Sequence, residues 1–375
     1  MSHRMGSLLV PAIVLTTTLA AFGQENRDAL HRDFAQFKPQ EYRRPYGPHA
    51  PWNIPVKGLA RHPESDIWAD RLWRLSTAAR PGNFNLGGFK DYSYPVYVVD
   101  EATTAVPVKS RHPDWGNLHG KRVPWNPNWQ PAQGSDGQVI VIDPQTGREW
   151  NLWQVTFDGE QLTVGNGNLV DGDYRIKEDG FASSRGCGIP YLAMLTRPEE
   201  LMQGAIRHAL SMPAKNPNSK LFLPPATKTD GVKFGRPDGV PEGMRFALDV
   251  TDRQIEEWIQ SLPQELGDAT RYSARVIAVA LRDYGWIITD NSGGAFFQFE
   301  YNGTAGGKWK ALGLDQREIN GREYPRDLLD GLLTKERIYA VVPSNQYPGS
   351  AENDTTKKAG AASAGGVTTR AAPGK

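Results

Sequence analysis

Proline and glycine interrupt this chain almost throughout, 28 of the first and 39 of the second in 375 residues. Each proline fixes φ and removes a hydrogen-bond donor, and glycine in an element's interior weakens it. Such a chain reads as short elements joined by many turns rather than as a helical bundle. The expected fold is mainly β, a β-sandwich or jelly-roll-like core carrying a few packed α-helices.

The two ends differ from the middle. A basic start, Met-Ser-His-Arg, leads into an uncharged run from Met5 to Gln24 with its apolar heart at Leu8 to Ala21. Ala21-Phe22-Gly23 places small residues where a signal peptidase reads them, so residues 1–23 are expected to be a signal peptide. A transmembrane anchor fits less well, because Pro11 and Thr16 to Thr18 interrupt a stretch already shorter than the roughly 20 apolar residues a span needs. The chain is therefore expected outside the cytoplasm, extracellular or periplasmic, with no stable membrane insertion. Residues 24–60, punctuated by Pro45, Pro48, Pro51 and Pro55, read as an extended arm. Residues 344–375, with no aromatic after Tyr347, read as a disordered tail. What lies between, 61–343, is expected to be a single globular domain and a monomer.

Charge narrows the partners. Lys and Arg number 43 against 42 Asp and Glu, so no basic footprint for nucleic acid exists. Cys187 is the sole cysteine, which excludes an intramolecular disulfide and leaves stability to core burial.

Local patterns predict helices over Glu64–Ala78, Arg197–Met212 and Ser273–Tyr284. Thr196 with Glu199 forms the capping box expected to start the second of these. A strand is predicted at Tyr94–Val99, and hairpins over Gln138–Phe157 and Trp286–Tyr301. The stretch Pro107–Gln133 lacks periodicity and reads as a long surface loop.

That loop carries the clearest chemical signal. Eight of eleven tryptophans fall between Trp52 and Trp153, and Trp115, Trp125 and Trp129 stand in the loop itself beside Asn117, Asn126, Asn128 and Gln130. Flat indoles stack on sugar rings while amides hold the hydroxyls, so the three are expected to line a groove, with Asn151 and Trp153 on the sheet beneath. The alternative is that they fold inward and plug the core. Glu149, Asn151 and Trp153 alternate along one strand and so share a face.

Glycoside hydrolysis needs two carboxyl groups across the scissile bond. The candidates are Glu149 with Asp171 or Asp173; for β-elimination the candidate base is His208. A solvated surface role competes for each acid, and a hydrogen bond to a backbone carbonyl competes for His208. His112, Asp114 and His119 match no standard metal spacing, so no metal and no cofactor is expected. Cys187 has no His–Asn framework of a nucleophile and reads as a buried thiol.

Several motifs recur in a fixed order: Pro51-Trp52-Asn53-Ile54-Pro55, Val141-Ile142-Asp143-Pro144, Gly188-Ile189-Pro190-Tyr191-Leu192, Arg197-Pro198-Glu199-Glu200-Leu201, Pro225 to Gly231 (Pro-Ala-Thr-Lys-Thr-Asp-Gly) and Glu242-Gly243-Met244-Arg245-Phe246. In this the chain resembles a family of secreted, largely uncharacterised bacterial proteins of similar length, over about residues 51–335. The resemblance implies export and carries no activity or catalytic residue across. Where that family has Trp-Gly-Gly after the first hairpin, this chain has Val164-Gly165-Asn166-Gly167-Asn168.

These readings together predict a secreted carbohydrate-active protein that acts on polysaccharide or oligosaccharide, a glycoside hydrolase or a lyase. The competing class is a non-catalytic extracellular sugar-binding or cell-surface protein.

Overall fold

The computed structural model describes residues 26–75, 82, 84–87, 89–181 and 184–350. The expected signal peptide and residues 351–375 lie outside them. Among the described residues strand accounts for 24% and helix for 25%, in several small sheets with no barrel. The expectation of a mainly β, jelly-roll-like chain is corrected accordingly: helix weighs as much as strand. Among the described residues no helix is long and apolar enough to cross a membrane.

Two four-stranded sheets dominate residues 96–170. One orders Val96–Val98, Val139–Asp143, Arg148–Trp153 and Asn166–Val170; the other orders Arg122–Trp125, Thr104–Ser110, Leu162–Val164 and Thr156–Phe157. Alternation along each strand sends one set of side chains into a shared apolar layer: Val106, Val108, Val123, Trp125, Val139, Val141, Trp150 and Leu152. The opposite set, including Ile140 and Ile142, joins Trp52, Tyr94, Leu192 and Ile287 in a second layer.

Ile287 belongs to a third sheet, ordered Leu210–Ala214, Trp286–Asn291, Arg245–Leu248 and Ile338–Val341. Its first two strands are parallel. Leu210, Met212, Phe246, Trp286, Ile288 and Ala340 pack on its far side against helices Ser65–Leu75, Asp252–Ser261 and Asp268–Asp283, the largest core of the molecule. Burying about 2 kcal/mol per large apolar side chain, this helical layer anchors the third sheet from behind.

Several elements differ from expectation, each for a local reason. The helix predicted over 197–212 stops after Pro198–Met202, and Leu210–Ala214 is a strand. Gly204, at φ +83°, ends the turn, and the run that follows is buried on both faces, where helix and strand patterns look alike. At the start of that helix the reciprocal partner is Glu200, which accepts from the Arg197 N–H at 3.0 Å. The hairpin predicted beyond Trp286 does not close on itself: Phe296–Phe297 pairs in parallel with Asn85–Leu86. The loop predicted over 107–133 contains most of strand Thr104–Ser110, a 3₁₀ turn at Pro113–Trp115 and strand Arg122–Trp125. The arm begins with a helix at 26–34 and buries Phe34, Tyr46 and Trp52. The first residues of the predicted tail are packed, with Ser344, Tyr347 and Ser350 at most 1% exposed.

Candidate functional site

The strand-rich half and the third sheet meet at a cleft of about 300 Å³, lined by residues from both. From the strand-rich half come Trp115, Asp136, Gln138, Trp153 and Asn166; from the other side come Asp230, Asp290 and Asn291. Ser184, Arg185, Tyr191 and Lys228 complete the lining. A smaller hollow of about 210 Å³ adjoins it and shares Asp136, Gln138, Asp290 and Asn291. Asp290 and Asn291 close the strand Trp286–Asn291 whose parallel neighbour is Leu210–Ala214. Carboxyl ends of parallel strands are where open sheets commonly hold ligands, because loops diverge there.

The aromatic wall is formed by two indoles. Trp115 is 56% exposed, stacked on His112 at 4.1 Å and near-parallel to Trp153 at 6.4 Å. The Trp153 indole donates to Asp136 Oδ1 at 3.3 Å while the Gln138 amide donates to Asp136 Oδ2 at 3.2 Å. Both oxygens of Asp136 are thus oriented by the wall. Gly116, behind Trp115, lies so close to the strand Asn166–Val170 that a Cβ would sit 2.3 Å from the Gly167 carbonyl. Asn166, the first residue of that strand, faces the cleft.

The base is acidic. Asp230, Glu242 and Asp290 each offer a carboxylate oxygen within 4.8 Å of the other two. Asp230 and Asp290 are half-buried and line the cleft, whereas Glu242, 0% exposed, lies behind them. Neither oxygen of Glu242 has a hydrogen-bond partner, and Asp230 Oδ1 is likewise buried without one. Thr229 and Asp230 stand beside the Glu242 carboxyl, the first favouring its charged form and the second opposing it. Burial first, then the neighbouring Asp230 and Asp290, push the Glu242 carboxyl well above the usual range. Burial and Asp230 do the same to Asp290, against a hydrogen bond from the Gly186 N–H at 3.3 Å; Asp290 also accepts from the Asn291 N–H at 3.0 Å. Three carboxylates this close cannot all be charged without protons or a cation to offset them.

Arg185 does not supply that charge directly. Its guanidinium donates to the Tyr94 hydroxyl at 3.0 Å, to Gln298 Oε1, and to the Tyr191 and Ala193 carbonyls at 2.6 and 3.2 Å. It therefore fixes the cleft floor. Among the described residues no ion pair joins Arg185 or Lys228 to the three acids. Gly186 is tightly constrained, since a Cβ there would meet Asp290 Oδ1 at 2.4 Å and Asp230 Cγ at 2.8 Å.

Of the residues singled out from sequence, Trp115 and Trp153 come together in the cleft. Asn151 lies beneath it: its Oδ1 accepts from the Tyr191 N–H at 2.9 Å, holding a lining residue in place. Glu149 is fully buried, accepting from the Tyr46 hydroxyl, from Asn151 Nδ2 at 2.7 Å and from the Leu192 N–H at 3.0 Å. Its carboxylate organises the second apolar layer and does not reach the cleft. Trp125 is 1% exposed between the two strand-rich sheets, and Trp129 stacks on Tyr97 at 4.7 Å beside it. Asp171 is exposed away from the cleft, and Asp173 pairs with Arg175 at 2.6 Å. His208 is buried between the Ala209 carbonyl at 2.9 Å and Glu200 at 3.1 Å. Cys187 is buried beside Glu242, and both burial and that carboxyl push its thiol well up.

Asp136, Asp230, Glu242 and Asp290 were not singled out from sequence. Asp230 and Glu242 do stand in two of the ordered motifs, Thr229-Asp230-Gly231 and Glu242-Gly243-Met244, and Asp290 ends a strongly apolar strand. No protein-family model matches the chain, and no curated protein or solved structure matches it either.

Proposed function

We propose that the protein is an exported enzyme that hydrolyses glycosidic bonds of a polysaccharide in this cleft. The observation that carries the reading is the juxtaposition of an exposed tryptophan wall with paired carboxyl groups at the base of one cleft. A sugar ring stacks its apolar C–H face on Trp115 and Trp153, and Asn166, Asn291 and Lys228 are placed for its hydroxyls. Asp136, held by Trp153 and Gln138, takes the proton of the attacking water. The departing oxygen receives its proton from the Asp230–Asp290 side. The excess of acid in the cleft favours an uncharged sugar chain over a uronate polymer. Within this reading the two strand-rich sheets around Trp125 and Trp150 form a β-sandwich-like unit that presents the aromatic wall.

The test is a panel of neutral and acidic polysaccharides incubated with the purified chain, read by new reducing ends and by the absorbance of unsaturated products. Reducing ends without unsaturated products are expected on a neutral glycan, and Asp136→Asn should lower kcat/KM by about 10²–10⁴-fold with stability unchanged. Unsaturated products would replace hydrolysis by elimination. Binding with no product would assign the cleft to a non-catalytic sugar receptor.

A further inference from the structure

Two cleft-lining carboxyl groups, Asp230 and Asp290, converge on a third, Glu242, that is wholly shielded from solvent. Acids that merely meet at a surface are solvated or paired. Glu242 is neither: both its oxygens are buried and unpartnered, although one of them lies within 4.8 Å of an oxygen of each of the other two acids. A second group in the same cleft is left in the same condition. The Ser184 hydroxyl, on a residue 6% exposed, lines the cleft and has no hydrogen-bond partner. Buried polar atoms are nearly always satisfied, so unsatisfied ones gathered around one cavity mark the place of a missing ligand.

We propose that Asp230, Glu242 and Asp290 form a binding site for a hard divalent cation of the calcium or magnesium class, open to the cleft. The donor set is all oxygen, which such ions prefer over the nitrogen and sulfur ligands of zinc. Cys187 is close, but its backbone carbonyl is occupied by the Thr227 N–H at 2.9 Å and its thiol is buried. Three carboxylates on one side leave the positions facing the cleft to water and to ligand oxygens. A pair of adjacent sugar hydroxyls fits those positions. This inference deepens the hydrolase reading and rests on it for the ligand. The cation site itself stands on the three acids and the unpartnered Ser184 hydroxyl beside them in the cleft.

The experiment uses the full chain, stripped with chelator, and terbium as a luminescent calcium probe excited through tryptophan, followed by calcium and magnesium calorimetry. Trp115 and Trp153 line the same cleft, so sensitised terbium emission is expected, saturating at one ion per chain and displaced by calcium. Glu242→Gln, Asp230→Asn and Asp290→Asn should each weaken binding by at least about tenfold, the scale on which even outer-sphere partners act. Asp173→Asn, at an acid paired with Arg175, should leave it unchanged. Asp230 and Asp290 are half-buried, so their variants keep the test valid if the Glu242 change impairs folding. Absence of binding at millimolar ion, or binding indifferent to all three changes, overturns the proposal. Because no glycan is present, the two readings separate. Polysaccharide cleavage that persists in chelator with no ion bound removes the cation and keeps the hydrolase; ion binding without cleavage of any polysaccharide keeps the cation and removes the hydrolase.

Discussion

Among the described residues two clusters of three acids, one buried and one bordering the cleft, are built in opposite ways. Around the helix Pro198–Met202, Glu199, Glu200 and Glu300 are matched by Lys308, His208 and Arg197. Lys308 reaches Glu199 at 2.6 Å and His208 reaches Glu200 at 3.1 Å. Burial pushes the Glu199 carboxyl up, yet Arg197 and Lys308 prevail and hold it below the usual range. In the cleft, Asp230, Glu242 and Asp290 have no such partners, and burial drives Glu242 and Asp290 well up. Arg197 and Lys308 bring permanent positive charge to the first cluster, and among the described residues no cation pairs with the second. A cluster that closes its own charge ties elements together, whereas one left open is prepared for something from outside.

The comparison can be broken most forcefully in the paired cluster. Arg197→Met strips Glu300, 1% exposed, of its cation and should cost about 3–5 kcal/mol in urea denaturation. A loss under about 1 kcal/mol would show that the matched charges contribute little.

The tryptophans sharpen it next. Trp125→Ala should cost about 3–5 kcal/mol of stability with ligand affinity intact, because its side chain fills the layer between two sheets. Trp115→Ala should do the reverse, leaving the melting curve in place and weakening oligosaccharide binding by about 1–3 kcal/mol. Equal stability effects at the two positions would erase the distinction between core and cleft wall.

A smaller effect is expected in the open cluster. Glu242→Gln, measured in chelator, should change stability by no more than about 1 kcal/mol, since it replaces an acid that nothing pairs. A loss as large as that of Arg197→Met would make Glu242 a structural acid and collapse the contrast.

The smallest effect calibrates pairing without burial. Asp70, between Arg74 and Lys335, has its carboxyl held down at about 2 by hydrogen bonds from both. A carboxyl lowered on folding stabilises the protein above its ordinary pKa of 3.8 and loses that contribution as pH falls through about 2. Melting curves of Asp70→Asn and the parent should differ slightly at neutral pH and converge near pH 2. A difference that persists there would have to come from something other than these ion pairs.

Much of the strand-rich half could be read directly from the residues. β-Branched and aromatic runs on either side of a Pro-Gln-Thr-Gly turn placed Val139–Asp143 and Arg148–Trp153 as neighbours, and the face that alternation gives Glu149, Asn151 and Trp153 is real. What alternation cannot say is what lies over a face, and here Tyr46 and Leu192 cover Glu149 while Trp153 is left at the cleft. The third sheet was harder, because Leu210–Ala214 is buried on both sides and carries no period to distinguish strand from helix. The acidic cluster was hardest. Asp230, Glu242 and Asp290 come from three separate segments, and only the packing of the third sheet brings them within reach of each other. No spacing rule operates over such separations.

Gly186 shows how little room that packing leaves. Its φ is one that any residue can adopt, so alanine there would fold without backbone strain, yet the added methyl would stand where Asp230 and Asp290 now converge. One carbon atom could therefore jam the centre while leaving the Trp115–Trp153 wall intact. If the cleft cleaves glycans as proposed, Gly186→Ala would grip a glycan without releasing product, and immobilised on a resin it would serve as bait for that substrate.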